Sequence, residues 1–241
     1  MVERRKRRVG RVVFVVLLVY FLVIGAIAAY NIISTQAGYS AAQNEYKDLR
    51  AHAPAPISTP AATPEEVYEP LIELLTINPE CVGWIWIAGT AIDYPVAQSD
   101  EDEYYLHHTF SGESNYSGAI FMDSRCVGGF NAPVAILYGH NMMDGSMFAG
   151  LNLYREDGYL ADHPVVNVVD VSGRPHTYRI FLVRHTDMYD ESYALPGRGL
   201  VEVRSFLKTL GAPADARVLV LSTCTNTGGS EERLLIFATE E

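Results

Sequence analysis

VLVLSTCTNTGGSEERLLIFA, Val218 to Ala238, reads as two apolar β-type runs joined by a polar turn that holds Gly228 and Gly229. Runs of this kind, rich in branched and aromatic residues and bounded by turn residues, are strands. Paired as antiparallel neighbours about 4.8 Å apart, they would set Cys224 at the end of one strand beside Arg233 at the start of the next. A thiol is a nucleophile only as thiolate, and a permanent cation beside it favours that form. Cys224 is therefore either packing material in an apolar core or a nucleophile with its cation already in place.

Similar runs recur upstream: VGWIWIAG (82–89), AIDYPVA (91–97), GAIFMD (118–123), VAILYGHN (134–141), VVNVVDV (165–171) and HTYRIFLVRHTD (176–187). Together with RVLVLSTCT (217–225) and RLLIFATE (233–240) they make a set of short strands separated by Gly, Pro, Asn and Asp clusters, of which VSGRP (171–175) is a hairpin signal. Three stretches have helical character. They are EEVYEPLIELLTINPE (65–80), stopped by Asn78-Pro79; GSMFAGLNLYRE (145–156); and LVEVRSFLKTLG (200–211), closed by Gly211. Many strands and few helices predict a mainly β protein, a closed eight-stranded barrel with peripheral helices, because closure removes unpaired strand edges.

The N-terminus has a different character. Residues 1–11 carry Arg4, Arg5, Lys6, Arg7, Arg8 and Arg11 against Glu3, and an uncharged run from Val12 to Tyr30 follows. Nineteen helical residues reach roughly 28 Å, close to the thickness of a bilayer's hydrocarbon core. The expected organisation is a cytoplasmic basic segment (1–11), a transmembrane anchor (12–30), an extracellular stalk with a proline-rich spacer at Pro54 to Pro64 (31–64) and a folded domain (65–241). A cleaved signal peptide is the rival reading, since Ala26 to Ala28 includes a small-residue cleavage pattern. Both readings export the domain.

The formal net charge is −11; without residues 1–11, 12 basic residues face 28 acidic ones, a net of −16. A nucleic-acid partner needs a basic face to neutralise phosphates, and no basic run remains to build one. Cys81, Cys126 and Cys224 are an odd number, so at least one is free or pairs between molecules. None has C-x-x-C spacing or a neighbouring histidine in a zinc-type arrangement, and neither metal nor cofactor is expected. Cys81 and Cys126 are read as buried or joined by an incidental disulfide.

Acyl transfer by a thiol also needs an acid/base and a donor for the oxyanion. Of the seven histidines, His140 stands apart because it lies just past an apolar strand, after a glycine that permits a sharp turn. Each residue has an ordinary alternative. A cysteine after VLVLST is commonly core, a Tyr-Gly-His turn is commonly structural, and Arg233 could oppose Glu231 or Glu232 at the surface.

The ordered motifs resemble those of the sortases, and among them class B. LSTCT (221–225) resembles the segment around that family's nucleophile, and YGHNMMDGSMF (138–148) its histidine segment in class B form. INPECVGWIWIAGTAIDYPVAQSDEDEYYLHHTFSG (77–112) is similar to its opening strands, and GAIFMD and ERLLIFA match further on. The resemblance runs from about Glu65 to the C-terminus. It implies a membrane-anchored cysteine transpeptidase on the outer face of a Gram-positive cell membrane, in which Cys224 is the nucleophile, His140 the acid/base and Arg233 the group holding the substrate carbonyl and its oxyanion. It places Ser222, Thr223, Tyr138 and Leu106 along the substrate groove. The implied partners are a C-terminal sorting signal of a surface protein or pilin, cleaved after Thr, and an amine of a peptidoglycan precursor or pilin. Two departures stand out. The segment 188–217 is shorter than expected for class B, and Thr225 stands where some members carry an acid after the nucleophile. A cysteine peptidase that releases the acyl group to water, or a non-catalytic surface-binding domain, remains the alternative from the residues alone.

Overall fold

The computed structural model describes residues 2–54, 68, 71–225 and 231–241. The expected boundary at 64/65, the spacer beyond Pro54 and most of the turn after Cys224 lie outside the described residues. The chain divides into two units, residues 1–41 and 42–241.

The first unit is the bulk of a long helix, α1 (Val2–Leu49), free of proline and rich in Val, Leu, Ile and Ala. Its apolar side chains are exposed from Val13 to Ile33, among them Phe14, Phe21 and Leu22. The helical stretch Val13–His52 is long and apolar enough to cross a membrane, with a mean hydropathy of 2.7 in its most apolar window. Residues 13–30 of the uncharged run fall within it.

The second unit contains the strands β1 (Cys81–Trp86), β2 (Asp93–Ala97), β3 (Ile120–Met122), β4 (Val134–Tyr138), β5 (Val165–Asp170), β6 (Pro175–Asp187), β7 (Val218–Cys224) and β8 (Glu232–Glu240). They close into a barrel in the order β1-β2-β3-β4-β7-β8-β6-β5, with β5 returning to β1. The expected closed eight-stranded fold with peripheral helices is therefore observed. Two pairs, β2–β3 and β4–β7, are parallel, and the other neighbours are antiparallel. Parallel neighbours end at the same end of a sheet. The C-terminal ends of β4, after which His140 comes, and of β7, which is Cys224, are thus brought side by side.

Alternating and continuous apolar runs bury Trp84, Ile85, Ile120, Phe237 and their neighbours on the strands, joined by Tyr105, Phe110 and Phe148 from the connections. A second cluster covers β4, β7 and β8. Leu195, Val203 and Leu207 from the segment after β6 pack on Val134, Ile136, Val220, Leu235 and Phe237. Val203 and Leu207 come from α5 (Leu200–Thr209), which ends at the positive-φ Gly211. The other peripheral α-helices are α2 (Ile72–Ile77), α3 (Tyr104–His107) and α4 (Tyr159–Asp162). α2 stops where expected, at Asn78 before Pro79, whose ring nitrogen cannot donate. Asn78 instead spends its side-chain amide on Tyr105 Oη and Phe110 O.

One expected helix is only half present. Within 145–156, Ala149–Arg155 forms 3-10 turns, while Gly145 to Phe148 is irregular. Gly145 and Met147 both hold positive φ, and Met147 forms an isolated bridge to Asn141, which closes a loop in place of a helical turn. The apolar periodicity is satisfied anyway, since Met147, Phe148 and Leu151 are all buried. The three cysteines are free.

Candidate active site

The ladder between β4 and β7 pairs Tyr138 with Ser222. It continues one residue further, where Gly139 N donates to Ser222 O at 3.2 Å and Thr223 Oγ1 donates to Gly139 O at 2.9 Å. His140 leaves the sheet at the next position. Across the other edge of β7, Cys224 and Arg233 are direct Cα partners. The three residues picked out from sequence thus stand at one end of three adjacent strands.

Gly139 is required by packing. A Cβ there would lie 2.5 Å from Ile120 Cδ1 and 2.7 Å from the Phe148 ring. The His140 imidazole is held from three sides. Its Nε2 lies 2.8 Å from Leu106 O. A carbonyl oxygen only accepts, so Nε2 carries the proton and Nδ1 is the nitrogen left to exchange one. Tyr116 stacks on the ring, with centroids 5.7 Å apart and planes at 11°, although Tyr116 itself is 66% exposed. Gly118, at φ +59°, fits against the ring edge, where a Cβ would be 3.2 Å from His140 Cδ2.

Cys224 is half-buried, unlike Cys81 and Cys126, and its carbonyl accepts from Asn152 Nδ2 at 3.4 Å. Burial pushes the thiol of Cys81 up to about 11 and that of Cys126 up to about 12, so neither forms a thiolate readily. Arg233 Nη1 donates to Glu232 O at 3.0 Å. The Glu232 carboxylate itself is engaged with Thr225 Oγ1 and His185 Nε2.

Among the residues expected along the groove, Leu106 contributes its carbonyl to His140. Ser222 and Thr223 are buried, at 3% and 2% exposure, and their hydroxyls are bonded within the protein. Tyr138 is half-buried and donates to Asp123 Oδ2 at 2.8 Å. This begins a network that sequence reading missed. Arg125 forks onto Asp123 at 2.8 and 2.7 Å and reaches Tyr193 O at 2.8 Å. Tyr193 stacks on Tyr138, with centroids 6.1 Å apart, and its hydroxyl lies 2.8 Å from Ser222 Oγ. Burial pushes the Tyr193 phenol up, while the Ser222 hydrogen bond and the Arg233 charge pull the other way. Burial alone would raise the Asp123 carboxyl, but its bonds from Arg125 and Tyr138 outweigh that and hold it low, as a carboxylate. Segment 188–217 thus reaches the end of β4 and β7 through Tyr193.

Comparison with known proteins agrees with this architecture. The sortase domain family matches residues 85–241. Sortase B of Listeria monocytogenes is 46% identical over 99 residues, an alignment covering 41% of this chain and 40% of that protein. Sortase B of Staphylococcus aureus is 25% identical over 253 residues, with 97% of each chain covered. Among solved structures, sortase B from B. anthracis superposes with a TM-score of 0.69 at 27% identity, covering 85% of this chain and 98% of that one. A sortase B–substrate complex from S. aureus also gives 0.69, at 25% identity over 83% and 95% of the two chains.

Proposed function

This chain belongs to the sortase family, within class B, and from that premise we propose that it is a membrane-anchored transpeptidase in which Cys224 is the nucleophile, His140 the acid/base and Arg233 the oxyanion donor. The observation that carries the reading is the register of β4, β7 and β8, which sets His140 and Arg233 on opposite sides of the strand ending in Cys224.

The substrate is a C-terminal sorting signal, and the sulfur attacks the carbonyl of its threonine. As the tetrahedral intermediate forms, the Arg233 guanidinium donates to the oxygen on which charge develops, a fixed cation needing no reorganisation. His140 Nδ1 takes the Cys224 thiol proton as the sulfur attacks; collapse then expels the downstream peptide, whose amine takes that proton from Nδ1, leaving a thioacyl enzyme. In the second half an amine of a peptidoglycan precursor or a pilin lysine attacks, gives its proton back to Nδ1, and Cys224 is released. The Leu106 carbonyl supports this cycle by holding Nε2–H, which keeps the working nitrogen aimed in both halves. The Tyr193 side supports recognition of the signal, its hydroxyl being bonded to Ser222 of β7, two positions before Cys224. The apolar N-terminal helix supports a single-pass anchor with its basic end in the cytoplasm and the barrel outside. Enzyme, membrane-tethered substrate and lipid-linked acceptor then share one surface, which raises their effective concentration.

The test is to incubate the full-length protein with a panel of threonine-containing sorting peptides and a primary-amine acceptor, following adducts by mass. A thioacyl adduct and an amide product are expected, and a folded Cys224→Ala variant should form neither. Release of free acid in the presence of amine would convert the reading to a peptidase. Turnover by Cys224→Ala would refute it.

A further inference from the structure

We propose that the last two turns of α1, and Tyr46 in particular, position His140 for proton transfer, so that this stretch belongs to the catalytic apparatus.

Among the described residues, two segments other than β4 support His140. One is 106–118, which supplies the Leu106 carbonyl, the Tyr116 ring and the close-fitting Gly118. The other is the loop 141–148, whose Phe148 N donates to His140 O at 2.9 Å. Apart from Leu106 and His107, in the one-turn helix α3, these segments lie outside helices and strands, so contacts from elsewhere help set their positions. Tyr46, only 3% exposed, does so for the first segment. Its hydroxyl donates to Gly118 O at 2.6 Å and accepts from Phe110 N at 3.3 Å, which clamps both ends of the connection. Its ring meets the edge of Tyr94 at 5.3 Å and 86°. Tyr94 Oη in turn accepts from Met147 N at 3.0 Å, at the residue whose positive φ closes the second segment. Gln43, one turn earlier on the same helix face, donates to Asp144 Oδ2 in that loop at 2.8 Å. Arg50 caps the assembly, its guanidinium 5.3 Å over the Tyr94 ring and paired with Asp93. One helical face therefore grips both supports of the imidazole.

The consequence is chemical. Proton transfer needs donor and acceptor within a few tenths of an ångström of the productive geometry, and losses of this kind fall on kcat while binding is spared. Tyr46→Phe keeps the ring and removes only the hydroxyl that holds Gly118 O.

This inference rests on His140 as the acid/base, and the experiment keeps the two apart. In full-length protein, amide formation is measured for Tyr46→Phe, Gln43→Ala, His140→Ala and the Tyr46→Phe/His140→Ala pair, with folding checked by circular dichroism. Tyr46→Phe should lower kcat about tenfold with the peptide KM unchanged, and Gln43→Ala should lower it less. In the His140→Ala background Tyr46→Phe should add nothing, because a residue acting through the imidazole has nothing left to position. Should Tyr46→Phe not fold, Gln43→Ala, whose bond is exposed, decides with its own His140→Ala pair. Wild-type kcat for the brace variants beside an inactive His140→Ala, or a multiplicative loss in the double variant, overturns the brace alone. Wild-type turnover by His140→Ala would remove the acid/base reading, and the brace with it.

Discussion

Replacing Gly139 by alanine would place a methyl carbon 2.5 Å from Ile120 Cδ1 and 2.7 and 2.8 Å from two atoms of the Phe148 ring. Carbon atoms are comfortable at about 3.5–4.0 Å, so the new group intrudes by roughly 1 Å on two sides. Ile120 and Phe148 are both at 0% exposure and cannot swing into solvent. Overpacking of this kind costs about 1–3 kcal/mol. At about 3 °C per kcal/mol for a domain of this size, the melting temperature should fall by roughly 3–9 °C. The cheapest relief is for the end of β4 to move away from Ile120, which stretches the Gly139–Ser222 and Thr223–Gly139 bonds and carries His140 with it. A misplacement near 1 Å is worth on the order of 100-fold in rate. Denaturant titration should show a lower midpoint at unchanged slope, and thioacyl formation measured by mass should slow far more than the stability loss explains. Ile120→Val removes the Cδ1 atom and should restore part of both losses. A Gly139→Ala protein with wild-type midpoint and wild-type rate would show that the packing argument is wrong.

Other expectations follow from neighbouring features. Arg233→Lys keeps the charge but loses the planar fork, and thioacyl formation should drop on the order of 100-fold with the melting temperature little changed; unchanged rates would remove the guanidinium from the mechanism. A thiol reagent at neutral pH should label Cys224 first, since burial raises Cys81 to about 11 and Cys126 to about 12; peptide mapping that finds either of those labelled before unfolding would contradict this. His176 lies between Glu240 Oε1 at 2.7 Å and Asp170 Oδ2 at 3.4 Å, an arrangement in which both ring nitrogens can donate and the charged imidazole is favoured. Burial opposes that charge, but the bonds to Asp170 and Glu240 outweigh it and raise the imidazole above 6.5, while Asp170, despite burial, is held at about 2. The raised imidazole stabilises fully below its unfolded value and ceases to as pH climbs through its folded one. The depressed carboxyl stabilises above its unfolded value near 3.8 and ceases to as pH falls toward 2. Thermal melts should therefore weaken on both sides of about pH 4–6.5, and His176→Gln should flatten the alkaline limb; a limb unchanged in that variant would rule His176 out as its source.

The strands were legible because β-branched and aromatic runs broken by Gly, Pro and Asp have few other uses. The Cys224–Arg233 pairing was legible because eight residues, 225–232, separate the two apolar runs, so antiparallel pairing sets the end of one against the start of the next. The helix expected at 145–156 failed in its first half. Periodicity reports which residues are buried, and a loop closed at the positive-φ Met147 buries Met147 and Phe148 as well as a helix would.

Sequence by itself determined the apolar N-terminal helix and the mainly β barrel, and it singled out Cys224, His140 and Arg233 as the proposed trio, each of which depends on residue type and local order. Only the tertiary structure decided what holds that trio. Tyr193 meets Ser222 across 29 positions, Leu106 meets His140 across 34 and Tyr46 meets Gly118 across 72. The last two end on backbone carbonyls, which every residue possesses, so no side-chain pattern marks the acceptor. Their partners are chosen by the path of the chain through space, in which Leu106 and Gly118 both lie on the crossover between the parallel strands β2 and β3.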